Sequence, residues 1–203
     1  MTLRRSLLIT SELFCYERFI VKMRIVLHQV PFLCLLLALN ACAIAVWTDG
    51  EVPFVPTPIN VVDKMLEMAR VTPADVVFDL GSGDGAIIIR AAQKFEARGV
   101  GIEIDAELVR KAQANASRGK VEHLTEFRVQ DALSVDASEA TVVTLYMLPE
   151  FNAKLRPILD RQLKPGARVV SHDFAVEGWV ADRVERVNGD FFHDHTILLF
   201  EIR

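Results

Sequence analysis

The residues best suited to chemistry are a carboxylate and three glycines at the end of an apolar run. Asp79 lies in the run Val76–Leu80, and Gly81, Gly83 and Gly85 follow it in a G-x-G-x-G pattern before a helical stretch. Glycine lets a backbone approach a ligand without a clash at Cβ. Nicotinamide-binding turns use the different spacing G-x-G-x-x-G. Strand, glycine turn and helix form the first unit of a doubly wound sheet, which binds ligands at the carboxyl ends of its strands. The pattern predicts a small-molecule site with Asp79 available to hold a positive group.

This turn resembles motif I of the class I S-adenosylmethionine-dependent methyltransferases. The resemblance implies that the cofactor is S-adenosylmethionine and that Gly81, Ser82, Gly83 and Gly85 line its amino-acid portion. It also implies that Asp79 holds the positively charged amino group of that ligand.

Three further features follow the turn in the order that this family shows. The run Gly99–Asp105 supplies Glu103 near its end, 22 residues after Gly81, where a carboxylate accepts hydrogen bonds from both ribose hydroxyls. Asp131, followed by Ala132, stands where a methyltransferase keeps an acidic or amide residue for the adenine amino group. The segment 163–170 resembles the helix, turn and strand that lead into the fifth strand. Asp105 is expected to cap the next helix rather than bind the ligand.

The elements that position these residues follow from apolar periodicity. A helix is expected over about Asn60–Arg70, capped by Asn60, because its apolar residues recur at helical spacing. Runs over Val184–Val187 and Thr196–Ile202 predict the last two strands. The fold class is therefore α/β: a Rossmann-like, seven-stranded class I methyltransferase sheet with helices on both faces, preceded by one N-terminal hydrophobic helix.

A Pro-rich element narrows the resemblance. The segment Val52–Pro58 reads V-P-F-V-P-T-P, and together with motif I it resembles the lysine N-methyltransferases of the ATP synthase c-subunit and adenine nucleotide translocase, and their bacterial relatives. The resemblance covers about residues 52–200. It implies a protein-lysine N-methyltransferase that acts on a membrane-associated protein. Proline biases the residue before it to extended geometry, which suits either a strap over the ligand, with Thr57 donating to the ligand carboxylate, or a plain linker.

The acceptor site is expected in the loop after the fourth strand. That strand, Thr141–Leu145, faces the transferred methyl group in this fold, and Tyr146 and Glu150 follow it. Tyr146 is predicted to guide the lysine ammonium over its ring or to accept through its hydroxyl, and Glu150 to attract the ammonium. The alternatives are a core aromatic and a helix start. The loop differs from that of the animal enzymes, so the identity of the target does not carry over.

Metal binding is not expected. His172-Asp173 and His193-Asp194-His195 belong to separate loops, and no cysteine joins them. Cysteines occur only at positions 15, 34 and 42, so the domain has no disulfide, zinc-binding CxxC pair or thiol nucleophile. Of the histidines, only His172 is a candidate for acceptor binding.

The N-terminal segment is expected to direct the chain to a membrane. Residues 25–47 contain no Asp, Glu, Lys or Arg, and about 20 apolar residues span a bilayer. A transmembrane anchor, a signal peptide and a lipoprotein-like cleavage box remain open. The positive flank places the domain outside the cytoplasm, whereas S-adenosylmethionine is made in the cytosol.

The predicted organisation is a basic segment (1–24), the hydrophobic segment (25–47), a Pro-rich linker or strap (48–59) and the methyltransferase domain (60–203).

Charge excludes one class of partner. Residues 48–203 hold 18 basic and 25 acidic side chains, a net charge of −7. Nucleic-acid binding needs clustered Lys and Arg, so nucleic acid is not an expected partner. The remaining functions are methylation of a membrane-associated protein on lysine, methylation of a small or lipid-soluble molecule, and an inactive or exported ligand-binding relative.

Overall fold

The computed structural model describes residues 54–189 and 194–203. The predicted basic segment, the hydrophobic segment and residues 48–53 of the linker lie outside these residues, so the N-terminal helix and its membrane role stay predictions. Within the two described ranges, no helix combines the length and the apolar character needed to cross a bilayer.

The described residues form a seven-stranded mixed sheet with helices on both faces, which confirms the predicted fold class for this part of the chain. The strands are β1 (Val76–Leu80), β2 (Arg98–Glu103), β3 (Thr125–Val129), β4 (Val142–Leu145), β5 (Arg168–His172), β6 (Arg183–Val187) and β7 (His195–Glu201). The helices are α1 (Ile59–Met68), α2 (Ala86–Phe95), α3 (Ala106–Arg118) and α4 (Pro149–Gln162), with a short 3-10 turn at Ala132–Ser134.

The strand order, β3-β2-β1-β4-β5-β7-β6, explains where the site lies. The first five strands along the chain are parallel, so the carboxyl ends of β1, β2 and β4 meet at one edge. The last strand, β7, inserts antiparallel between β5 and β6. Its amino end therefore lies beside the carboxyl end of β5, at that same edge of the sheet.

Side-chain alternation along the strands divides the core between the two faces. Val77 packs in a cluster with α1, α2 and α3, and its neighbour Phe78 packs in a second cluster with α4. The central strands are buried on both sides, as is usual for parallel sheets.

The capping role predicted for Asn60 is wrong. Pro58 occupies the N-cap position of α1, and its carbonyl accepts from the backbone N–H groups of Val61 and Val62 at 3.0 Å. Because Asn60 is already inside the helix, its Nδ2 instead donates to the carbonyl of Asn188 at 3.2 Å. The helix also ends at Met68, before the predicted Arg70.

Candidate functional site

The glycine turn after β1 is fixed to the neighbouring strand. The backbone N–H groups of Gly81 and Ser82 both donate to the carbonyl of Ile102, at 2.8 and 2.9 Å. Gly83 has a φ of +53°, and a Cβ there would lie 2.2 Å from the Phe54 ring. The left-handed backbone and this close approach both require glycine. The Ser82 hydroxyl is buried and has no hydrogen-bond partner in the described residues, so it is available to a ligand.

Asp79 is a buried carboxylate with one protein partner. Its Oδ1 accepts a hydrogen bond from the Thr144 hydroxyl at 2.7 Å, and only 3% of the residue is exposed. Burial raises the pKa of Asp79 to about 7, helped by the negative charge of Glu103 and opposed by the Thr144 hydrogen bond. No lysine or arginine among the described residues forms an ion pair with it. A cationic ligand group is the partner that would favour the ionised form.

Glu103 is held in place by backbone donors on both sides. Its Oε2 accepts from the N–H of Gly83 at 2.9 Å, and its Oε1 accepts from the N–H of Asp105 at 3.0 Å. Asp105 in turn caps α3 by accepting from the N–H of Glu107 at 2.7 Å, which confirms its predicted role. The glycine turn and the end of β2 therefore form one hydrogen-bonded unit.

Asp131 and Ala132 lie just beyond β3 on the same edge. Asp131 is exposed, and its Oδ1 accepts from the N–H of Leu133 at 2.8 Å, so it also begins the 3-10 turn. Ala132 is buried. The N–H of Gln130 donates to the carbonyl of Glu103 at 2.9 Å and ties this corner to the end of β2. The structure gives the second oxygen of Asp131 no hydrogen bond within the described residues, and its predicted role toward the adenine stays a prediction.

The Pro-rich segment reaches the glycine turn through Phe54. The Phe54 ring lies over Gly83, and the Lys111 ammonium is 5.4 Å from the ring centroid. Lys111 also pairs with the carboxylate of Asp84 at 3.1 Å. Thr57 is half-buried on the same segment, and the structure gives its hydroxyl no hydrogen bond within the described residues. The contact of Phe54 favours a strap over a plain linker, while the role of Thr57 stays a prediction.

The loop after β4 joins the turn to the acceptor side. Met147 is buried with its sulfur against Gly81, where a Cβ would lie 2.8 Å from Sδ. Tyr146 is half-buried and stacks on His172, with ring centroids 3.8 Å apart, and on Phe174 at 6.2 Å. Burial raises the pKa of Tyr146, and the negative charge of Asp173 adds to that shift. The phenol therefore stays protonated at neutral pH.

Glu150 is exposed in the first turn of α4. An acidic residue there stabilises the positive end of the helix dipole, so the structure is compatible with the helix-start alternative. Its predicted role in attracting the acceptor stays a prediction.

The expectation that His172 and His195 lie apart is wrong. The Nε2 of His172 is 2.9 Å from the Nδ1 of His195, and the Oδ2 of Asp173 lies 3.3 and 3.5 Å from these nitrogens. The antiparallel pairing of β5 with β7 brings the loops together. Periodicity alone did not reveal that β7 inserts next to β5.

Sequence reasoning missed four residues around the site. Thr144, which binds Asp79, is a polar residue in an apolar strand and pairs with Asp79 across the sheet, so aligning β1 with β4 offers a signal. Phe54 and Met147 cover the glycines. Each lies in a segment that the sequence singled out, but nothing within the segment marks the residue itself. Ile104, beside Glu103, has 72% of its surface exposed and offers an apolar face next to the two carboxylates of that corner.

Comparison with known proteins places this geometry in a family. The model of the ANTKMT methyltransferase domain matches residues 79–183. A protein-lysine N-methyltransferase of Saccharolobus islandicus (strain REY15A) is 46% identical over 153 residues, which are 75% of this chain and 94% of that protein. The lysine N-methyltransferase of the ATP synthase c-subunit from Xenopus laevis is 35% identical over 133 residues, 65% of this chain and 58% of that protein.

A solved structure supports both the fold and the ligand. The crystal structure of an RNA methyltransferase from Salinibacter ruber in complex with S-adenosyl-L-homocysteine is 55% identical, with a TM-score of 0.69, and covers 73% of this chain and 94% of that chain. S-adenosyl-L-homocysteine is the demethylated product of S-adenosylmethionine. The chain therefore belongs to the ANTKMT methyltransferase domain family and is an S-adenosylmethionine-dependent methyltransferase.

Proposed function

We propose that this methyltransferase transfers methyl groups to lysine side chains of a protein. The observation that carries the proposal is the contact between Met147 and Gly81, because it places Tyr146 next to the glycine turn that receives the cofactor. The 46% identical relative that bears the name protein-lysine N-methyltransferase supports the choice of acceptor.

The donor side of the site fits the cofactor. Asp79 would hold the amino group, Glu103 the ribose and Asp131 with Ala132 the adenine. The backbone of Gly81, Ser82, Gly83 and Gly85 would line the amino-acid portion, and Thr57 would donate to its carboxylate. Two observations in the described residues support this assignment. The buried Ser82 hydroxyl has no hydrogen-bond partner, and the Asp79 carboxylate has no cationic partner. When bound, the cofactor supplies a methyl group already activated on a sulfonium.

The acceptor side has to position a neutral amine. An ammonium has no lone pair for attack, and desolvation lowers the pKa of a lysine that enters an apolar slot. Tyr146 offers its ring face and its hydroxyl oxygen to the entering amine, while the stack on His172 restricts how the ring can turn. Buried Met147 and half-exposed Leu148 contribute apolar surface to the same loop. Glu150 would attract the ammonium from solvent. The main contributions of the protein are thus alignment and exclusion of water.

RNA is the second candidate acceptor, because the Salinibacter ruber protein bears the name RNA methyltransferase. The net charge of −7 over residues 48–203 opposes it. A phosphate backbone binds through neutralisation by Lys and Arg. We therefore favour protein over RNA.

We further propose that the target is membrane-associated and that residues 25–47 direct this chain to the membrane, as an anchor or as part of an exported form. The absence of charge over that segment supports this proposal. The test is carbonate extraction of membranes that contain the full chain. Retention in the pellet supports an anchor, and release into the supernatant contradicts it.

The acceptor class can be tested with a trideuterated methyl donor. The full chain is incubated with a cell extract and labelled S-adenosylmethionine, and the protein, RNA and organic-solvent fractions are then analysed by mass spectrometry. We expect labelled methyl on lysine in the protein fraction, and much less of it with the Asp79→Asn variant at a limiting concentration of the donor. Label confined to nucleotides or to the organic fraction would replace this proposal with RNA or a small, lipid-soluble acceptor.

A further inference from the structure

Beneath the acceptor loop lies a cluster of buried titratable side chains. His172 ends β5, Asp173 follows it, and His195 begins β7; these three residues are here called the His-Asp cluster. His172 is fully buried, His195 is 4% exposed and the Asp173 side chain is 15% exposed. Two imidazoles and a carboxylate are costly to bury side by side unless their polar atoms bind one another or a shared ligand.

The spacing of the three ligand atoms matches one face of a metal tetrahedron. The Nε2 of His172, the Nδ1 of His195 and the Oδ2 of Asp173 are separated by 2.9, 3.3 and 3.5 Å. A tetrahedral zinc ion with bonds of about 2.0–2.1 Å separates its ligand atoms by about 3.3 Å. The three measured distances bracket this value.

A hydrogen bond between the two ring nitrogens and a cation shared by all three ligand atoms are both consistent with this spacing. A single proton between the two ring nitrogens forms one good bond. If both nitrogens carried protons, two N–H groups would face each other across 2.9 Å. A divalent cation is attracted to all three lone pairs at once.

The carboxylate is oriented as a ligand from outside the cluster. The Oδ1 of Asp173 accepts from the backbone N–H of Thr196 at 2.7 Å, which directs Oδ2 toward the histidines. Asp173 has a φ of +60°, in the left-handed region that non-glycine residues seldom occupy. Such strain concentrates at functional sites, and outer hydrogen bonds of this kind orient metal ligands.

From this geometry we infer that the His-Asp cluster binds a divalent transition-metal ion of the zinc type. Two imidazole nitrogens and one carboxylate oxygen suit zinc, and other first-row ions compete for such a set. The ion joins the end of β5 to the start of β7, directly under Tyr146, whose ring stacks on His172 at 3.8 Å. It thereby fixes the floor of the acceptor loop. This site does not depend on which acceptor is methylated.

The test measures metal binding rather than methyl transfer. The full chain is purified without a histidine tag, its metal content is determined by mass spectrometry, and the chelator-treated protein is titrated with Zn²⁺ and with Co²⁺. We expect about one equivalent of metal per chain. We also expect visible Co²⁺ absorption of a four-coordinate site. Asp173→Asn and His195→Gln should weaken Zn²⁺ binding by about tenfold or more.

The exposed His123 provides the matched control. His123→Gln should bind Zn²⁺ as the wild type does, while S-adenosylmethionine binding and circular dichroism show that every variant is folded. Equal Zn²⁺ affinity in the cluster variants and the wild type would place any metal elsewhere in the chain and overturn the inference. Wild type that takes up neither ion would make the cluster a hydrogen-bond network, and would also overturn it.

Discussion

The two halves of this sheet edge differ in their chemistry. We call the side of β1, β2 and β3 the donor half and the side of β4, β5 and β7 the acceptor half. On the side of β1, β2 and β3, the carboxylates of Asp79, Glu103 and Asp131 are held by a hydroxyl or by backbone N–H groups. On the side of β4, β5 and β7, the rings of Tyr146, His172 and His195 stack and touch. The first half is negative and the second is built from aromatic rings, so one half is suited to a cationic ligand and the other to positioning an amine.

The difference teaches how such a site divides its work. A buried carboxylate is costly until a cation arrives, so ligand binding by the donor half would come at the expense of the stability of the ligand-free protein. Stacked rings keep their geometry whether or not a ligand is present. The ring of Tyr146 can therefore be held in place without that cost. Variants in the two halves should separate these effects.

The largest expected effect is on the stability of the donor half. The folded-state pKa of Asp79 is about 7, above its ordinary value of 3.8. The folded protein therefore holds this proton more tightly than the unfolded chain. The stability contributed by the protonated group is fully present below about pH 4 and is lost as the pH rises through about 7. Asp79→Asn should remove this loss, which is on the order of 4 kcal/mol.

The measurement is denaturant unfolding of the ligand-free full chain at several pH values. The free energy of unfolding of the wild type should fall between pH 4 and 7 relative to that of Asp79→Asn. Glu122→Gln, which removes an exposed carboxylate, serves as the control and should follow the wild type. Parallel curves for wild type and Asp79→Asn would show that Asp79 titrates normally.

The same substitution should act in the opposite direction on ligand binding. Asp79→Asn removes the negative charge that would hold the cofactor amino group, so we expect S-adenosylmethionine binding to weaken by about 5- to 150-fold, or 1–3 kcal/mol. Wild-type affinity should rise with pH through about 7 as Asp79 ionises. Calorimetric titration at pH 6 and pH 8 measures both. A variant that is stabilised but binds as tightly as wild type would remove Asp79 from the cofactor site.

The acceptor half should show a smaller effect, on turnover alone. Tyr146→Phe keeps the ring stack on His172 and removes only the hydroxyl. We expect the rate of methyl transfer to fall about tenfold, which is below the roughly 10²–10⁴-fold contribution of a full general acid or base. The dissociation constant for S-adenosylmethionine should be unchanged, because the phenol is not part of the donor half. Unchanged turnover would make Tyr146 a core aromatic.

The two halves also differ in how far the sequence could predict them. Asp79, Glu103 and Asp105 act on neighbours within the same short segments or on adjacent parallel strands, so motif spacing was enough to find them. His172 and His195 meet only because β7 inserts antiparallel beside β5. Neither periodicity nor charge encodes that strand order. Asn60 shows the same limit locally, because Pro58 begins the helix two residues before the expected cap.

The smallest expected effect concerns the contact that covers the donor half. Lys111 lies 5.4 Å from the Phe54 ring centroid and pairs with Asp84. Lys111→Met removes a half-exposed cation–π contact worth about 0.5–1 kcal/mol. If Phe54 straps the cofactor, its release should weaken S-adenosylmethionine binding by about two- to fivefold, mainly through faster dissociation.

Lys154→Met, at an exposed lysine of α4, should leave binding unchanged. Stopped-flow dissociation separates the cases, and equal rates in both variants would make the Pro-rich segment a linker, leaving the carboxylates to hold the ligand alone.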